Sequence, residues 1–164
     1  MKKILKTVSF LGMLLVAAFV YGQDKNPDFD RREFYKAMQV DKMDLVDAEL
    51  GQIKTASIKE RDAFEGALTM KKAGLSSGAN KKMKIFKSGH KKLEEAIQKD
   101  PANLEFRFLR LMIQENAPGV LGYKKELDKD SELVRKGYRN LPEPVQHAVL
   151  DYNKKSKVLK LQDS

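Results

Sequence analysis

The chain has 164 residues, 34% of them charged and 41% hydrophobic, with 32 basic side chains against 23 acidic ones and a formal net charge of +9. That length and apolar content fit one ordinary folded domain. The lack of cysteine excludes disulfides, iron–sulfur clusters, thiolate zinc sites and a cysteine nucleophile, and only two histidines, His90 and His147, remain for metal or relay chemistry.

Residues 1–22 read as a secretory signal. Lys2, Lys3 and Lys6 form a positive start, Val8 to Val20 an apolar run, and Val20-Tyr21-Gly22 a cleavage site that makes Gln23 the expected mature N-terminus. The run is shorter than the roughly 20 apolar residues that span a bilayer, and no cysteine follows it to carry a lipid. The expected product is exported to the periplasm or beyond, with no transmembrane span after cleavage. Losing three lysines would lower the net charge from +9 to +6. Outside the cytoplasm such a charge points to anionic surfaces or acidic partners, and no nucleic-acid partner is expected.

Residues 23–29 are expected to be a disordered lead-in, residues 30–156 a single helical domain and residues 157–164 a frayed tail. Asp30 with Glu33 opens a first helix through Phe34, Tyr35 and Met38. Asp41 caps a second, with Met43, Val46, Leu50 and Ile53 at helical steps. Ser57 and Glu60 form a capping box for a third helix, stopped by Gly74. Asn80 caps a fourth, which ends at Asp100-Pro101, and Asn103 caps a fifth, which closes before Pro118. A helical turn follows around Leu121. Asp130 then caps a sixth helix, and Pro144 takes the first position of a seventh. No stretch alternates with period two. The fold class is therefore all-α: about seven short antiparallel helices in a compact bundle or a TPR-like α-solenoid.

Gly89, Leu93, Ala96 and Pro101 stand at offsets that resemble the second helix of a tetratricopeptide repeat. The resemblance covers that helix alone. The upstream positions where the family carries its other signature residues hold Ala73, Ser76, Ser77 and Asn80. It implies a packing style in which small residues let helices approach closely. The stretch from Glu105 to Tyr123, EFRFLRLMIQENAPGVLGY, is similar to small exported all-α proteins of Gram-negative bacteria, and that similarity implies no activity.

Two groups of residues are candidate sites. Between Glu65 and Glu94 there is no acid but there are eight lysines. At 100° per residue, Lys81, Lys84, Lys87, Lys91 and Lys92 fall on one side of the fourth helix, away from Met83, Phe86, Leu93 and Ile97. This face could meet an anionic surface, or it could simply be solvated. Glu105, Arg107, Arg110 and Gln114 lie on a fifth helix that is apolar around most of its circumference, so that helix should be central. Together these four could line a small polar pocket, or Glu105 could serve only the helix dipole. Phe106 and Phe108 are expected to be core anchors and Phe34 a lesser one. His90, within the apolar stripe of the fourth helix, reads as a partly buried packing residue.

No hydrolase elbow, phosphate loop, zinc-helix motif or calcium loop is present, and no metal or cofactor is expected. The function expected from the sequence is a non-enzymatic helical module that binds a protein partner in the cell envelope. Attachment to anionic lipid or glycan through the lysine face is the alternative, and an enzyme built on the Glu105 group is a more distant one.

Overall fold

The computed structural model describes residues 29–161. The proposed signal, and residues 23–28 of the expected lead-in, lie outside the described residues. Seven helices follow in order: α1 (Arg31–Gln39), α2 (Met43–Thr55), α3 (Arg61–Leu75), α4 (Ala79–Lys99), α5 (Leu104–Asn116), α6 (Leu127–Gly137) and α7 (Glu143–Asn153). Short 3-10 turns at Gly119–Leu121 and Tyr138–Asn140 link the last three, and no strand occurs among the described residues. The all-α class holds. None of the described helices is long and apolar enough to cross a membrane.

Two helix starts follow the capping chemistry of the sequence. The Asp30 side chain accepts the Arg32 N–H at 2.8 Å, and the Asn103 side chain accepts the Phe106 N–H at 3.2 Å. Elsewhere the polar residues have other engagements. Asp41 accepts from Lys71 at 2.5 Å, and the cap position of α2 falls to Lys42. Helix α3 begins only at Arg61, with no side-chain cap bond from Glu60. Gly74 lies within α3, and the positive φ at this junction belongs instead to Gly78 (φ 82°), which precedes α4 and leaves Asn80 inside the helix. Asp130 caps nothing: α6 starts three residues earlier, and the Asp130 carboxylate is fully buried against arginine. Pro144 occupies the second position of α7, behind Glu143.

Antiparallel neighbours dominate. Lys92 of late α4 meets Glu65 of early α3, and Lys72 of late α3 meets Asp47 of early α2. The tightest crossing is between α3 and α4, where Gly66 and Gly89 bring the backbones together. A Cβ on Gly89 would lie 2.5 Å from the Gly66 carbonyl oxygen, and a Cβ on Gly66 would lie 2.7 Å from the Leu93 nitrogen. With no side chain at either position, the two backbones can approach this closely.

Helix α5 is central, as its composition demands. It packs against α3, α4 and α6, with Phe106, Phe108, Leu109, Leu111, Met112 and Ile113 all buried. A run of aromatic rings crosses the interior from Phe29 through Phe34, Tyr35 and Phe108 to Tyr152, with successive centroids 5.1–5.8 Å apart. Phe34 is completely buried and also edges onto Phe64 at 4.9 Å. It is therefore as much a core anchor as Phe108, because α1 packs against α2, α3 and α7 and reaches α5 through Tyr35, which stacks near Phe108. Phe29, at the end of the expected disordered lead-in, is buried 4.7 Å from the Phe64 ring.

Helix α7 returns to pack on α1, closing the bundle. The segment from residue 157 to 161, expected to fray, is tied down. Leu159 is fully buried, the Lys157 N–H donates to Glu115 at 2.5 Å, the Val158 carbonyl accepts from Ser131 at 2.9 Å, and the Leu161 N–H donates to Asn153 at 3.0 Å. Backbone groups that find partners in this way do not fray.

Candidate binding cleft

Glu105, Arg107, Arg110 and Gln114 do not converge on one pocket. Glu105 turns to α1, where Arg31 Nε lies 3.2 Å from both carboxylate oxygens and the Tyr35 hydroxyl donates at 3.0 Å. Burial pushes the Glu105 carboxyl up despite these partners, and burial with the Glu105 charge beside it pushes the Tyr35 hydroxyl well up. Arg31 also lies over the Phe64 ring, 5.5 Å from its centroid. This group opens on a shallow depression of about 360 Å³ beside Ser57, Glu60 and Pro142.

Arg110 points the other way and knots three helices together. It gives Asp130 of α6 two bonds at 2.6 and 2.9 Å and Glu94 of α4 one at 2.9 Å. The Tyr123 hydroxyl donates to the other Glu94 oxygen at 2.5 Å, and Arg107 stands 3.5 Å from Asp130. Burial works against the Arg110 charge, but the Asp130 and Glu94 carboxylates outweigh it and push the guanidinium further up. Arg107 mainly grips the Pro101 carbonyl, at 2.9 Å. Gln114 is buried, and its Oε1 has no hydrogen-bond partner among the described residues. These residues are joints of the bundle.

The lysines divide as well. Lys71, Lys72 and Lys92 are paired with Asp41, Asp47 and Glu65. Lys91 stands 3.9 Å from Glu95. Lys81, Lys84 and Lys87 are exposed on α4, with no carboxylate within 4.0 Å among the described residues. His90 is half-buried, its ring edge-on to Tyr123 at 4.6 Å, while His147 is exposed 3.7 Å from Glu143. Among the described residues no three His, Asp or Glu stand close enough together to hold a metal ion.

The feature that sequence reading missed is a cleft of about 840 Å³ at one end of the bundle. The C-terminal ends of α1, α3 and α5, the first half of α4, the Gly119–Leu121 turn and the segment after α7 enclose it. Its apolar lining includes Met38, Met70, Met83, Phe86, Met112 and Ile113. Four of the five methionines among the described residues are there. Two apolar side chains at the cleft stand in water: Met83 is 39% exposed and Val120 92%.

Lys71, Lys82, Lys155 and Lys157 also line the cleft, against two carboxylates, Asp41 and Glu115. Glu115 is well satisfied by the Tyr152 hydroxyl at 2.8 Å, the Ser156 hydroxyl at 2.7 Å and the Lys157 N–H. Burial alone would raise its carboxyl, but these donors hold it below the ordinary range. Burial and the Glu115 hydrogen bond together push the Tyr152 hydroxyl up. Both groups serve as braces of the wall.

Comparison of the chain with protein-family models, with curated proteins and with solved structures finds no match. The concentration of methionine was the one signal in the sequence that could have pointed to this cleft, since flexible thioethers are favoured on adaptable binding surfaces.

Proposed function

We propose that the chain is an exported, non-catalytic binding module whose ligand lays an apolar chain in the methionine-lined cleft. The observation that carries this reading is the cleft itself. Its volume lies within the range of about 300–1,000 Å³ usual for ligand sites, and its lining is mainly apolar with a few polar groups at the edge. Met83 and Val120 leave apolar surface in water that a bound chain would cover. Export rests on the Lys2, Lys3 and Lys6 start and the apolar run to Val20.

Gly74 offers a clean test. It lines the cleft, its φ is not positive, and a Cβ there meets nothing within 4 Å. Gly74→Trp should fill the mouth without straining the helix. An uncharged naphthylamine dye should bind the native protein saturably, with rising fluorescence, and G74W should lose that binding while keeping the helical circular dichroism of the parent. A native protein that gives no saturable signal would overturn the reading.

A second reading, attachment to an anionic membrane surface, is supported by the three exposed lysines of α4 that have no carboxylate beside them. The two are compatible, because the same helix lines the cleft.

A further inference from the structure

We infer that the cleft is built for a single-chain amphiphile with an anionic head, the head being held by Lys82, Lys155 and Lys157. This rests on the apolar-chain reading above and adds the charge of the ligand. The cleft is lined by four lysines and two carboxylates, so positive charge is in excess at its edge. Lys71 is neutralised by Asp41. Glu115 is already held by hydroxyls and a backbone N–H. That leaves Lys82, Lys155 and Lys157, all exposed and none with a carboxylate within 4.0 Å among the described residues. Lys82 and Lys155 reach only the Gly74 and Gln39 carbonyls, at 3.4 Å each, bonds long enough to be given up. Lys155 also lies 5.8 Å from the centre of the Tyr152 ring.

The chemistry follows from this arrangement. An apolar floor takes an alkyl chain, and its flexible methionines adapt to chain length. Ammonium groups on long stems reach over the mouth to a head group in water, and their point charges do not demand a fixed head geometry. A cationic amphiphile would be repelled there, and a neutral one would gain only the chain. Each lysine contact at the water's edge is of ordinary surface size, and three of them amount to about tenfold in affinity.

The test is displacement of the uncharged dye from the folded protein by chains of one length with different heads. Dodecanoate and dodecyl phosphate should each displace it at about tenfold lower concentration than dodecanol, with dodecyltrimethylammonium weakest. The tighter of the two anions then identifies the head. In a variant carrying Lys82→Gln, Lys155→Gln and Lys157→Gln the advantage of both anions should vanish, while dodecanol displaces as before. If anions and dodecanol displace equally from the native protein, or if the triple variant keeps the preference and only melts earlier, the lysines merely offset helix-end carbonyls and the inference is overturned. If the dye itself does not bind, it is the apolar-chain reading that has failed.

Discussion

Glu49 of α2 is 5% exposed, and the charges of Glu33 on α1 and of Asp30, which caps that helix, bear on it. Burial first, then those two carboxylates, pushes its carboxyl from 4.5 up to about 7. The sign of the consequence is fixed by linkage. The folded chain holds a proton that the unfolded chain has released, so this residue's contribution falls as pH climbs from about 4.5 through about 7. Glu49→Gln keeps the shape and removes the titration. Its melting temperature should match the parent near pH 4 and exceed it by several degrees near pH 8, as read by circular dichroism at both values. An equal difference at the two pH values would mean that Glu49 finds compensation in the fold. Arg110 shows the opposite case, a buried charge matched by partners: Asp130 and Glu94 hold it between three helices. Asp130 looked like a helix cap in the sequence, because a cap and a buried partner are the same residue type. Only the position of Arg110 tells them apart.

At the scale of elements, the helices themselves were legible and their first residues often were not. The apolar stripe of α2 at Val46, Leu50 and Ile53 and the near-continuous apolar face of α5 are strong periodic signals, and each became buried surface. Caps are weaker signals, because Asp41 can serve a helix start or the Lys71 ammonium and the tertiary partner won. The tail beyond residue 156 was illegible for a related reason. Leu159 has no periodic neighbours, and the backbone beside it is held by bonds of Val158 with Ser131 and of Lys157 with Glu115, both far back in the chain. The α3–α4 crossing supports a sharp prediction. Alanine normally improves on glycine inside a helix by up to about 1 kcal/mol, and Gly51, with nothing within 4 Å of a Cβ, should show that gain. At Gly89 the added methyl meets the Gly66 carbonyl at 2.5 Å and the Met70 nitrogen at 2.9 Å. Backbone on the facing side cannot step aside, so Gly89→Ala should cost about 1–3 kcal/mol in urea unfolding. A stabilising Gly89→Ala would show that the two helices do not meet there.

The whole molecule brings together what the chain keeps far apart. The cleft draws on residues from Met38 to Lys157, and no single helix carries enough of its lining to reveal it. The acid-free stretch of the sequence was legible as a lysine cluster, yet Asp41, Asp47 and Glu65 fold back to neutralise part of it. What remains is sharper than the sequence suggested. Lys81, Lys84 and Lys87 face solvent on α4, with Lys91 beside them, and the same helix lines the cleft with Lys82, Met83 and Phe86. A surface met by this helix would therefore lie close to the cleft. Near an anionic bilayer each lysine contributes about 1 kcal/mol, so four give up to roughly three orders of magnitude in partitioning. That attraction is screened over about 10 Å at 0.1 M salt and about 3 Å at 1 M. The protein should therefore pellet with vesicles rich in anionic lipid at low salt, be released at 1 M, and ignore vesicles of neutral lipid. Changing Lys81, Lys84, Lys87 and Lys91 to Gln should abolish pelleting while leaving displacement of the dye by dodecanoate unchanged, because none of the four lines the cleft. Pelleting that neither salt nor the fourfold variant reduces would mean that α4 presents only a solvated face.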